Sequence, residues 1–125
     1  MRALLVDDSS TMRAILRMTL RGTGLDTCEA SNGVEALDLL RENGCMDIAL
    51  VDWNMPEMNG YEFLQTVRSD PQYNRMKIVM VTTETEMAQV ETAVAHGANE
   101  YIMKPFTKDA VIEKLQMLGV VPQTA

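Results

Sequence analysis

The sequence predicts an α/β fold: a doubly wound parallel sheet with helices on both faces. Three observations carry that prediction. Short apolar runs at 3–6 (Ala-Leu-Leu-Val), 48–51 (Ile-Ala-Leu-Val) and 78–81 (Ile-Val-Met-Val) lack the polar alternation of a half-exposed strand. Continuous apolar strands suit the interior of a parallel sheet covered on both faces. Between them lie segments whose apolar residues recur at helical spacing. The two kinds alternate as (βα) repeated five times, which implies parallel strands joined by right-handed crossovers. The 125 residues suit one domain, 1–125, with no linker, low-complexity segment or output domain.

Each element has its own justification. The first strand, 3–6, stops at Asp7-Asp8. The helix over 10–21 places Met12, Leu16 and Leu20 on one stripe, widened by Ile15 and Thr19, and Asp8, Ser9 or Ser10 can open it. Residues 25–30 (Leu-Asp-Thr-Cys-Glu-Ala) form a weaker strand of edge type. The helix over 33–43 aligns Val34, Leu37 and Leu40, beside Glu35, Asp38 and Arg41. Strand 48–51 ends at Asp52. The helix over 60–69 packs Phe63, Leu64 and Val67 and leaves Tyr61 as an exposed ring. Strand 78–81 ends at Thr82-Thr83-Glu84, and the helix over 86–96 repeats Met87, Val90 and Val94. A second edge-type strand, 99–103, leads into Lys104-Pro105. The last helix, 107–118, has Thr107 as its N-cap and Val111, Leu115 and Leu118 on its stripe. Gly22, Gly24, Gly44, Gly97 and Gly119 fall at or just past helix ends, and Pro122 fits a stop.

Composition narrows the function. Hydrophobic residues make up 46% and charged residues 23%, the balance of a soluble globular protein. A net charge of −7 argues against nucleic-acid binding, which needs a basic face. It suits a site that concentrates acid around a cation, or a partner with basic patches. Cys28 and Cys45 lack metal-ligand spacing and read as reduced thiols acting as small hydrophobes. The opening Met-Arg and four apolar residues are too short for a signal peptide or membrane helix, so a cytoplasmic protein is expected. The 11 methionines read as core filler, and His96 as a residue that caps or packs.

In a doubly wound sheet, ligands bind beyond the carboxyl ends of the strands. Those ends carry Asp7-Asp8, Asp52, Thr82-Thr83-Glu84 and Lys104-Pro105. Each has an ordinary reading taken alone: a helix cap, a loop aspartate, a strand terminus, a solvated lysine. Their conjunction on one rim does not. Two carboxylates about 5 Å apart repel by roughly 3 kcal/mol at an effective dielectric near 20. Three need positive charge among them. Lys104 supplies one such charge, and Mg²⁺ is the natural divalent partner for an all-oxygen site that also admits a phosphate. A carboxylate beside Mg²⁺ and a lysine can attack phosphorus and become an aspartyl phosphate. Asp52, alone at the end of a central strand, is the better nucleophile. Asp7 and Asp8 form the metal-holding pair, and Thr82 can donate to the attached phosphoryl group.

Asp7-Asp8, "LVDWNMPEMNG" (50–60), "MVTTE" (80–84) and "YIMKPF" (101–106) together resemble the receiver domain of bacterial response regulators, over essentially the whole chain. Trp53-Asn54, Glu84, Tyr101 and Lys104-Pro105-Phe106 resemble the stand-alone chemotaxis type. The resemblance implies a flavodoxin-like sheet of strand order 2-1-3-4-5. It implies Mg²⁺, with Mn²⁺ able to substitute, held by Asp7, Asp8, Asp52 and the backbone carbonyl of Asn54, Asp8 being the direct ligand of the pair. It implies Asp52 as phosphoacceptor from a histidine kinase or acetyl phosphate. Thr82 and Lys104 would bind the phosphoryl group, Tyr101 would change rotamer in step with Thr82, and the Lys104–Pro105 bond would be cis. Asn54 and Glu84 would tune the phosphate lifetime, with Thr83 larger than the small residue usual beside the switch threonine. The output face would be the fourth helix, fifth strand and fifth helix, read by a partner such as a flagellar switch protein, with a phosphatase to reset it. The helix opening Thr85-Glu86-Met87-Ala88 lacks the basic residues of a motor-binding face, whereas Lys108 and Lys114 are present. A monomer is expected.

Other readings fit less well. A haloacid dehalogenase-like phosphatase shares the aspartyl phosphate, but carries its nucleophile on the first strand and a second aspartate two residues on, where this chain has Asn54 after Asp52. A phosphorelay intermediate or a regulator outside chemotaxis keeps the same chemistry with a different partner.

Overall fold

The structure, a computed structural model, describes residues 1–83 and 87–121, without the side chains of Met87 and Val90. Glu84 and Pro122 lie outside the described residues. The elements run β1 (Arg2–Val6), α1 (Ser10–Thr19), β2 (Asp26–Ala30), α2 (Gly33–Asn43), β3 (Ile48–Asp52), α3 (Gly60–Arg68), a single 3₁₀ turn (Pro71–Tyr73), β4 (Lys77–Thr82), α4 (Met87–Ala95), β5 (Glu100–Met103) and α5 (Lys108–Met117). All strand pairs are parallel, in the order β2-β1-β3-β4-β5. The two strands of mixed polarity are therefore the edges, as their sequences require.

The pleat divides the core into two layers. Leu4, Val6, Ala49, Val51, Ile78 and Met80 face α2, α3 and α4. Ala3, Leu5, Ile48, Leu50, Val79 and Val81 face α1 and α5, meeting Leu16, Leu20, Val111 and Leu115. Each fully buried Val or Leu contributes about 2 kcal/mol. Three stripes differ from the sequence reading. Val34 is 42% exposed, and Ala36 takes its place beside Leu37 and Leu40. Ile15 is 43% exposed, whereas Thr19 is buried. In α4, Val94 is 41% exposed and Ala93 is buried. In α2 the smaller Ala36 takes the buried place, and in α1 the expected face keeps Thr19 but leaves Ile15 out. Among the methionines, Met46, Met76 and Met80 fill core, but Met1, Met18 and Met117 are exposed.

The helix ends follow their caps. The Ser9 side chain accepts from Met12 N–H, Asn32 from Glu35 N–H, and Thr107 from Ala110 N–H. Asn59 and Glu62 form a reciprocal capping box at α3. α1 ends at Thr19, two residues short of the predicted end, capped by Leu20, whose N–H returns to Leu16 O. Gly44 ends α2 at φ 80°, a conformation that disfavours a side chain. No described helix is long and apolar enough to cross a membrane.

Candidate functional site

Four parallel strands deliver the site to one edge of the sheet. Val6 and Ala30 end β1 and β2 in register, and Asp7 N–H extends that ladder by donating to Ala30 O at 3.1 Å. Asp7 is therefore pinned at the strand end and is 1% exposed, whereas Asp8 is exposed. Asp52 is the last residue of β3, with 7% of its surface accessible. Thr82 ends β4 and is buried, and Lys104 follows β5.

Carboxylate oxygens of Asp7, Asp8 and Asp52 lie within 4.8 Å of one another. Lys104 Nζ donates to Asp52 Oδ1 at 3.1 Å and reaches Asp7 Oδ2 at 3.5 Å. Asp7 Oδ1 accepts from Ser9 N–H at 2.8 Å. Both oxygens of Asp7 are thus engaged, while Asp8 and Asp52 Oδ2 have no partner among the described residues. Thr82 is tied to the lysine through the backbone, since Lys104 N–H donates to Thr82 O at 2.6 Å. The Thr82 hydroxyl donates to Thr83 O at 3.3 Å. The Lys104–Pro105 peptide is cis.

The charges do not balance. Burial first, then Asp7, push Asp52 up to about 6, with Asp8 adding to the rise and Lys104 opposing it. Burial pulls Lys104 down, but Asp52 and Asp7 outweigh it and hold the ammonium above its ordinary value. One ammonium is insufficient for three carboxylates. The donor set is all oxygen and closely spaced, which fits a small hard cation such as Mg²⁺ that retains waters.

The loop after β3 is shaped for close approach. A Cβ on Gly60 would collide with the Asp52 carbonyl oxygen and stand 2.8 Å from Met80 Cε. Gly60 N–H instead donates to Trp53 O at 3.0 Å, folding the loop back against the end of β3. Glu57 takes a left-handed φ of 66° in that loop, at a cost of about 1 kcal/mol. Asn54 is exposed within it.

The helical pattern predicts one exposed and one packed ring for Tyr61 and Phe63, and neither ring is exposed. Tyr61 is half-buried, stacked on Trp53 with centroids 5.8 Å apart, and His96 meets its edge at 5.9 Å. The ring is drawn in because Trp53, itself buried, offers an apolar platform. His96 packs, its Nδ1 lying 2.7 Å from Thr92 O. Phe63 is fully buried. Tyr101 is half-buried on β5, with Lys114 Nζ 5.2 Å from its ring centroid. Cys28 and Cys45 are free thiols. Two residues that shape the site escaped the sequence reading. Gly60 looks like one more helix-start glycine, and Arg13, which donates to Asp7 O at 2.7 Å, looks like a solvated helix charge.

Comparisons with known proteins agree with this site. The family model described as "Response regulator receiver domain" matches residues 3–116. A "Chemotaxis protein CheY homolog" of Campylobacter jejuni is 51% identical over 117 residues, covering 93% of this chain and 90% of that relative. "Chemotaxis protein CheY1" of Helicobacter pylori is 47% identical, covering 94% of this chain and 96% of its own length. A solved structure of Vibrio cholerae chemotaxis protein CheY4 superposes with a TM-score of 0.85 at 35% identity, covering 94% of this chain and 97% of that one. The chain therefore belongs to the response regulator receiver-domain family, whose members are phosphorylation-activated switches of two-component signalling.

Proposed function

We propose that Asp52 is the phosphoacceptor of a stand-alone chemotaxis regulator, phosphorylated by a histidine kinase. The observation that carries this is Asp52 itself: a buried carboxylate whose Oδ1 is taken by Lys104 and whose Oδ2 has no partner among the described residues. Oδ2 attacks the phosphorus of a donor phosphohistidine. The P–N bond breaks, its electron pair returns to the imidazole nitrogen, and an aspartyl phosphate forms. Lys104 Nζ neutralises an oxygen of the transferring group as charge develops. Bound Mg²⁺ would supply further charge neutralisation on the phosphoryl oxygens. Asp8, Asp52 and the Asn54 carbonyl would hold it directly. Asp7, with both oxygens engaged by Ser9 and Lys104, would orient the pair.

Thr82 then swings its hydroxyl from the Thr83 carbonyl to the phosphoryl group. Tyr101 follows, and the face formed by α4, β5 and α5 changes for a partner that discriminates between the two states. The names of the relatives favour a chemotaxis output; the partner in this reading is a flagellar switch protein in the cytoplasm, with the chain a single domain and monomeric. Water removes the phosphate at a rate set by Asn54 and Glu84.

The test is incubation with acetyl phosphate and Mg²⁺, followed by intact-mass measurement. The native chain gains one phosphoryl group that is lost on hydroxylamine treatment, and Asp52→Asn gains none. Equal gain in Asp52→Asn refutes the assignment, and steady turnover of a phosphomonoester would support the dehalogenase-like phosphatase instead.

A further inference from the structure

Behind the carboxylates, one cation touches the backbone that carries them. Arg13 lies in the first turns of α1 and its Nη1 donates to the Asp7 carbonyl at 2.7 Å. Its Nε donates to Glu29 Oε1 on β2 at 3.1 Å. Glu29 also takes Arg17, so it is itself held from a second side. The Arg13 side chain is only 18% exposed. The Asp7 residue is thus gripped at both backbone groups: its N–H by Ala30 O, its C=O by Arg13. That carbonyl belongs to the peptide joining Asp7 to Asp8. Rotation of this peptide would swing both carboxylates relative to Asp52.

We propose that Arg13, clamped by Glu29, is a positioning residue for the cation site, holding the Asp7–Asp8 peptide in the orientation that converges its carboxylates on Asp52. This rests on the Mg²⁺ reading above. Two effects of Arg13 oppose each other. Its positive charge repels a cation, and its hydrogen bond orders the ligands. Glu29, shared with Arg17, lies against the guanidinium and offsets part of its field, and ordering is the effect expected to dominate. The sign of the change on removing Arg13 separates the two. Loss of order weakens Mg²⁺ binding, and loss of repulsion tightens it.

The experiment is calorimetric titration of Mg²⁺ into the full chain, with the thermal unfolding midpoint recorded for each variant. Arg13→Met is expected to weaken Mg²⁺ about tenfold, the low end for groups that orient metal ligands. Arg13→Lys, which can reach one acceptor but lacks the fork, recovers part of that loss. Glu29→Gln weakens binding less than Arg13→Met. Unchanged or tighter Mg²⁺ binding in Arg13→Met overturns the proposal, as does a lowered midpoint with native affinity, which marks a merely structural contact. If Arg13→Met does not fold, Glu29→Gln decides, and native affinity there overturns the proposal. Absence of Mg²⁺ binding by the native chain is a separate result that removes the metal reading and this inference together.

Discussion

The two ends of the same sheet are built on opposite terms. At the amino end, Arg68 reaches from α3 and donates to Gly97 O, Tyr73 O, Met76 O and Asn99 Oδ1, at 2.7 to 3.1 Å. Asn99 Oδ1 also accepts from Ile78 N–H at 2.8 Å. Nearby, Asp47 Oδ2 accepts from Arg2 N–H at 2.7 Å. Polar groups there close a network that ties α3, β4 and β5 together. At the carboxyl end, three carboxylates share one ammonium, and Asp52 is pushed up to about 6 by burial and then by Asp7. One end spends its polar groups on the fold. The other keeps an excess of negative charge that a cation can neutralise.

The amino end offers the largest stability effect. Arg68→Ala removes one donor from each of four acceptors, of which Asn99 Oδ1 keeps Ile78 N–H and Tyr73 O keeps Met76 N–H, and should destabilise the chain by about 3 kcal/mol in denaturant unfolding. Phosphoryl uptake below the unfolding transition should stay native, and a lost uptake would mean that the two ends are coupled. At the other end, Lys104→Met should slow uptake from acetyl phosphate about a hundredfold, close to 3 kcal/mol, in single-turnover kinetics. Gly60→Ala lies between the two, because its Cβ meets the Asp52 carbonyl. It should destabilise by about 2 kcal/mol and also reduce uptake.

The carboxyl end was the more legible in the sequence. Asp7, Asp52 and Thr82 stand at the ends of continuous apolar runs and Lys104 at the end of a weaker edge-type strand, and parallel topology brings such ends together without further information. The amino-end network was not legible. Arg68 follows Val67 as an ordinary basic residue in the last turn of a helix, and its acceptors are mostly backbone carbonyls whose identity no side chain records. For the same reason Arg13 escaped notice, since it binds the carbonyl of Asp7 and not its carboxylate. The tilt of each helix was likewise hidden. Val34 and Val94 fit the apolar spacing as well as Ala36 and Ala93 do, and only packing against the sheet decides which is buried.

The smallest predicted effect is a pH dependence. Asp52 is raised in the folded chain, so between roughly pH 4 and 6 the folded state holds a proton that the unfolded state has released. Its contribution to stability is therefore lost as pH rises through that window, on the order of 1 kcal/mol without divalent cations. The difference in unfolding free energy between native and Asp52→Asn, followed against pH, reads this directly. A difference that stays flat would place Asp52 at an ordinary carboxylate value.

The carboxyl end holds excess negative charge that a divalent cation should relieve. Denaturant unfolding at neutral pH, with and without Mg²⁺, tests it most directly. Without Mg²⁺, Asp52→Asn should be more stable than the native chain. Mg²⁺ should raise the native midpoint as binding to the folded state requires, and raise that of Asp52→Asn much less. A variant less stable than native without Mg²⁺, or a native midpoint that Mg²⁺ leaves unmoved, would contradict the claim.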